Sequence, residues 1–175
     1  MERWLDHIWG RAIAAGMVAA LAMGLYIMTA MALSGLGFWS FPNIVAATFP
    51  AFRPPSAGLE LATSVGAWTH VLVGGLLAIP YGLITWAIAP AIDADYRPEL
   101  LTGLLYGGLT YVVMGKLIAP LLDPAIPMLP EAHWAIGHLI FGVVTALLVA
   151  VTARRYEPPI TFAPEVKTEA PTTRR

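Results

Sequence analysis

Residues 12–36, AIAAGMVAALAMGLYIMTAMALSGL, sit inside an interval with no charged side chain between Arg11 and Arg53. A helix needs about 20 apolar residues to cross the hydrocarbon of a bilayer, and this run exceeds that. A secretory signal would instead show a basic leading segment and an apolar core of about 7–15 residues. Here Glu2 and Asp6 precede the run and the run is longer, so it reads as a retained helix. Working outward, three more stretches of the same kind follow, and spans are expected at about residues 12–36, 64–90, 100–122 and 132–153, with Lys116 the only charge inside any of them. Strands are excluded, because a backbone in lipid must satisfy its own hydrogen bonds and these segments lack the alternation of a barrel. The expected fold class is all-α: a polytopic membrane protein with four transmembrane helices in an up-down bundle.

The composition agrees. Of 175 residues, 58% are hydrophobic and 12% charged, against roughly half and a quarter in soluble domains. With a net charge of −1 and no basic stripe carrying aromatics, nucleic-acid binding has no support. The absence of cysteine removes disulfides, iron–sulfur clusters, thiolate zinc and cysteine nucleophiles, and leaves His, Met and carboxylates as metal ligands.

Orientation follows from the basic residues. Arg3 and Arg11 precede the first span, Arg97 lies between the second and third, and Arg154 and Arg155 follow the fourth, whereas the opposite side has Arg53. Both termini are therefore expected in the cytoplasm, with the chain in the cytoplasmic (inner) membrane of a bacterium. Residues 1–11 place Trp4, Leu5, Ile8 and Trp9 on one helical face, which suits an amphipathic helix lying in the interface. Between the first two spans, GFWSFPNIVAATFPAFRPP is too broken by Pro42, Pro50, Pro54 and Pro55 to span, and reads as an outer lid with one short helix near residues 43–49. Residues 154–175 are a polar, Pro-rich tail that buries no core alone and makes sense on a partner.

A repeat runs through the spans. His70 and Gly74 in the second, and His138 and Gly142 in the fourth, share a His-x-x-x-Gly spacing, and the first and third spans open on Gly16 and Gly103. This pattern is that of a duplicated helical hairpin. His and Gly four apart share a face, and the missing side chain leaves room for a neighbouring helix or a flat ring.

His70, His138 and Lys116 are expected at one depth, in the outer leaflet. An ionisable group in a span costs roughly 2.5–3.5 kcal/mol unless paired or wetted, which makes these residues functional candidates. Second and fourth helices sit diagonally in an up-down bundle, so two inward imidazoles have the spacing that clasps an iron: His70 and His138 as metal ligands of haem b, Gly74 and Gly142 making room for the porphyrin, Lys116 pairing with a propionate. The competing reading is that both histidines are neutral and hydrogen-bonded across helices, and that Lys116 snorkels to headgroups with Asp123 or Glu131 as partner. Met28, Met31, Met114 and Met128 at the same level would suit Cu(I), a reading that weighs less than haem. No phosphate loop, G-x-S-x-G, H-E-x-x-H or intramembrane carboxylate pair is present, so the chain is expected not to be an enzyme.

The Phe41-Pro42-x-Ile44 segment after the first span, the histidine in the second and Gly137-His138-x-x-x-Gly142 in the fourth resemble a loose set of small bacterial four-helix membrane proteins without assigned activity. The resemblance covers residues 12–153. It implies the architecture and an interest in His70 and His138, and no chemistry. The expected function is an accessory or structural subunit of a larger respiratory or photosynthetic membrane complex, with lipid and other membrane subunits as partners. The alternative is an electron-transfer subunit binding haem b through His70 and His138; a third reading is a stand-alone protein binding a metal or lipid at its outer side.

Overall fold

The first helix, α1 (Glu2–Leu33), is one unbroken element in a computed structural model that describes residues 2–56, 58–88, 96–122 and 130–154. The segment expected to lie in the interface and the first span are wound as one continuous helix. No proline occurs there, and Gly10, with nothing near the position of its missing Cβ, does not interrupt the winding. The side chains of residues 1–8, on which the amphipathic face was argued, lie outside the described part, as do the tail from residue 155 onward and the loop residues Asp123 and Met128. Helix α1 stops in a Schellman turn: Gly35 takes a φ of +77°, the Leu36 amide donates to the Met31 carbonyl at 2.9 Å, and the Gly35 amide to that of Ala32 at 3.1 Å. Only glycine enters that left-handed conformation without strain, so it sets where the helix ends.

After a short α2 (Ser40–Ala46) and a single 3-10 turn (Pro50–Phe52) come α3 (Leu61–Ile88) and α4 (Tyr96–Thr110); a π-helical segment (Tyr111–Ile118), α5 (Ala119–Leu122) and α6 (Glu131–Arg154) follow. Among the described residues, Trp9–Leu33, Leu61–Thr85, Glu99–Leu122 and Glu131–Thr152 are long and apolar enough to cross a membrane. The protein is thus an all-α bundle of four candidate membrane spans. Helix α1 packs on α3 and α6, and α6 on α4. Lipid-facing leucines such as Leu21, Leu25, Leu72, Leu76, Leu105 and Leu109 cover the outside.

Small residues, not large ones, set the approach of the helices. A Cβ on Gly16 would overlap the carbonyl oxygen of Gly74, and one on Gly74 would lie 3.1 Å from the carbonyl oxygen of Gly16. The second hairpin repeats the arrangement: a Cβ on Gly103 would lie 2.9 Å from the Gly142 oxygen, and one on Gly142 would overlap the Gly103 oxygen. One turn further along, Ala78 faces Gly16 and Ala146 faces Gly103. With no hydrophobic gain available between helices in lipid, such backbone-to-backbone contact carries the association. The glycines noted in the sequence as a repeat therefore do the same job in both hairpins.

The α3–α4 side differs from the others, being bridged by tyrosines. Tyr81 bonds through its hydroxyl to Thr102 Oγ1 at 3.0 Å, and the Tyr106 hydroxyl donates to the Leu77 carbonyl. That carbonyl lies in the turn before Pro80, whose missing amide leaves the neighbouring Leu76 carbonyl without its helical donor.

At the end of the bundle away from the termini sits the lid. Its helix begins three residues earlier than the expected 43–49, because Pro42 falls in the first turn, where no intrahelical amide is required, and does not act as a breaker. Asn43 is fully buried in it. The Asn43 amide donates to the carbonyls of Ser56 at 2.9 Å and Gly58 at 2.7 Å, and its Oδ1 accepts from the Thr63 hydroxyl at 2.7 Å, tying lid, loop and the start of α3 together. Arg53 donates to the Ala47 carbonyl at 2.7 Å and the Leu122 carbonyl at 2.9 Å, so a cation meets two helix C-terminal ends.

Candidate functional site

His70 reaches the bundle interior from the first half of α3. Its Nε2 donates to the Ala20 carbonyl of α1 at 3.0 Å, and the imidazole edge passes Gly24, whose absent Cβ would stand 3.4 Å from Cδ2. Phe41 from the lid meets the ring edge-on, centroids 5.0 Å apart. His138, 4% exposed, comes from the corresponding turn of α6. Its Nδ1 donates to the carbonyl of Trp134, one turn back on the same helix, at 2.9 Å. Trp134 and Tyr111 flank its ring at 4.9 and 5.8 Å. The carbonyl matching that of Ala20 in the other hairpin belongs to Gly107, where Thr110 Oγ1 already donates at 2.9 Å. This occupancy leaves His138 to bond along its own helix.

Both imidazoles line one cavity of about 130 Å³, on the loose α3–α4 side beneath the lid. Its walls are otherwise almost wholly apolar: Met23 of α1, Val45 of the lid, Val73 and Leu77 of α3, Met114 of the π segment, and Phe141 of α6 among them. Because a carbonyl can only accept, each bond fixes a tautomer. His70 holds its proton on Nε2 and His138 on Nδ1, so His70 Nδ1 and His138 Nε2 carry lone pairs, and among the described residues neither receives a hydrogen bond.

The sequence-derived residues thus separate. His70 and His138 meet across one cavity. Gly74 lies on its wall, but the position of its Cβ is already filled by the Ala20 methyl and lies 3.4 Å from the Phe141 ring. Gly142 is absent from the wall and abuts the Gly103 and Gly107 backbone. Both glycines are packed against neighbouring helices, and a cavity of this size holds a benzene-sized molecule. Lys116 is half-exposed and points away from the cavity, pairing with Glu131 at 2.6 Å; Tyr111 also donates to that carboxylate at 2.8 Å. Two positions apart on one helix, Met114 faces the cavity and Lys116 the surface, and this segment is wound as a π-helix. Gly115 in the same segment is pressed by the Trp134 indole, with Cδ1 2.9 Å from where a Cβ would sit. Such wide turns within helices are frequent at functional sites.

Of the methionines first considered together, Met114 lines the cavity; Met31 is buried in the core, with Met28 packed against it. Met23, Phe41 and Trp134 are site residues that sequence reasoning missed. Trp134 stood in reach, since four residues before His138 is the same helical face. The contact of Phe41 depends on how the lid folds back, which no spacing reports. A further pair, the Tyr26 hydroxyl and His133 Nδ1 at 3.0 Å, joins α1 to α6 outside the cavity wall.

No protein-family model matches this chain, and no similar curated protein or solved structure is found. The family resemblance drawn from the sequence therefore supports nothing finer than a four-helix protein with four candidate membrane spans.

Proposed function

We propose that the chain is a non-enzymatic integral-membrane accessory subunit whose working element is the cavity between His70 and His138, a site for a small ligand. The observation that carries this reading is the pairing of two imidazole lone pairs with one apolar cavity, each ring fixed by a main-chain carbonyl on its other nitrogen. Ligand sites have this character: mostly apolar walls with a few placed polar groups. A haem-carrying subunit has less support, because the volume is far below a porphyrin and His70 Nε2 is already engaged. The membership of a respiratory or photosynthetic complex rests on the Pro-rich tail, which buries no core of its own.

Native mass spectrometry of the protein released from its own membrane in mild detergent tests the site. The expected spectrum shows a bound low-mass species that disappears in both His70→Ala and His138→Ala. A bare chain in all three preparations counts against the cavity as the working element.

Orientation is part of the same proposal: the cytoplasmic membrane of a bacterium, with both termini inside and the lid outside. A reporter fused after Arg175 is then expected in the cytoplasm, and a cysteine placed next to Arg53 is expected to react with an impermeant reagent added outside. An external reporter would reverse the placement.

A further inference from the structure

We infer that the cavity is a site for a soft monovalent metal ion, Cu(I), held by Nδ1 of His70, Nε2 of His138 and the thioether of Met114, with Met23 beside them. The inference rests on the cavity being the working element and names what it takes.

Three observations converge on this. The donor set comes first: two neutral imidazole nitrogens and two thioethers line one apolar space. Imidazole with thioether is a combination that selects Cu(I) over hard cations. Second, the two rings are held as metal-binding histidines are held elsewhere, with the non-ligating N–H given to a main-chain carbonyl that fixes tautomer and ring orientation. His70 makes that bond to Ala20 at 3.0 Å and His138 to Trp134 at 2.9 Å, so each ring keeps one nitrogen lone pair for a metal. Third, charge argues against a divalent ion. No carboxylate lines the cavity, and among the described residues no three His, Asp or Glu side chains converge anywhere. A divalent cation in this apolar setting would have no counter-charge, whereas a monovalent one with polarisable sulfur ligands carries the smallest charge to be buried.

Met114 lies on the cavity wall while Lys116, two residues on and so on the opposite side of the helix, pairs at the surface with Glu131 and keeps its positive charge out of the site.

The test uses the full-length chain in detergent, titrated without oxygen with Cu(I) kept reduced by ascorbate, in competition with bicinchoninate. One Cu(I) per chain is expected, with X-ray absorption showing nitrogen and sulfur neighbours together. Met114→Leu conserves volume and is expected to keep the helical circular dichroism and the unfolding midpoint while weakening Cu(I) at least tenfold; His138→Ala is expected to abolish tight binding. No Cu(I) uptake, a metal with nitrogen neighbours alone, or an affinity unchanged by Met114→Leu overturns the inference. Phenol serves as a second probe, followed by the imidazole NMR signals of His70 and His138. If phenol shifts them while Cu(I) is not bound, the metal falls and the small-ligand cavity stands; if neither binds, both readings fall.

Discussion

Gly142→Val is expected to separate the second hairpin, with a loss of about 3 kcal/mol or more, the upper part of the range for overpacking. A Cβ at that position would overlap the Gly103 carbonyl and lie 2.5 Å from the Gly107 nitrogen and 2.6 Å from its Cα. All three are main-chain atoms, so no rotamer change relieves the contact, and α4 and α6 must move apart along their whole interface. Gly108→Ala, one residue from this contact and with open space around the position of its Cβ, is the control. It is expected to stay within about 1 kcal/mol of the parent chain, on the stabilising side, since alanine is the better helix former. Unfolding in a mixed-micelle titration with dodecyl sulfate, followed by circular dichroism, measures both. Equal midpoints for the two variants would mean that the glycine contact does not hold the hairpin.

The second large effect is expected at Asn43. Asn43→Leu removes a donor to the Ser56 and Gly58 carbonyls and the acceptor for Thr63, all inside a fully buried site. Leaving those partners unsatisfied costs about 1–3 kcal/mol for each group that water cannot reach. The loss is expected to fall on the lid first: protease cleavage in residues 40–60 and fast amide exchange there, with the four spans still helical. Asn43→Asp separates shape from donor chemistry. It keeps the acceptor for Thr63 but faces a carboxylate toward two carbonyl oxygens, and is expected to release the lid as fully as leucine does. A lid that stays protected in Asn43→Asp would show that the Thr63 bond alone is enough.

The two parts of the molecule were unequally legible. The spans could be read from Arg11, Arg53, Lys116 and their absence elsewhere, because lipid penalises every unpaired charge and a helix is the one open chain that satisfies its own backbone there. The histidine–glycine spacing was visible, and the structure shows that the glycines lock helices together and the histidines face a cavity. Their separation was not visible, since identical spacing says nothing of which neighbour fills the gap. Pro42 reads as punctuation, yet in a first turn it obstructs nothing. Asn43 reads as an ordinary loop residue, because its partners lie 13 to 20 positions away and are joined by tertiary structure alone. Lys116 could be put at the depth of the histidines but not turned away from them, because which face of the third span meets the cavity is decided by packing and not by spacing. Its pairing with Glu131 agrees with the plainer of its two expected roles.

The reciprocal glycine contacts also bear on how the chain is made. Once α3 has left the ribosome, Gly16 and Gly74 are both present and the first pair of helices has its whole locking surface before any of α4 is synthesised. The second pair carries an independent lock at Gly103 and Gly142, and the halves then join mainly through α1 and α6, the first and last long helices. Two polypeptides divided between α3 and α4, produced from separate messages in one cell, are therefore expected to find each other through α1 and α6 and assemble.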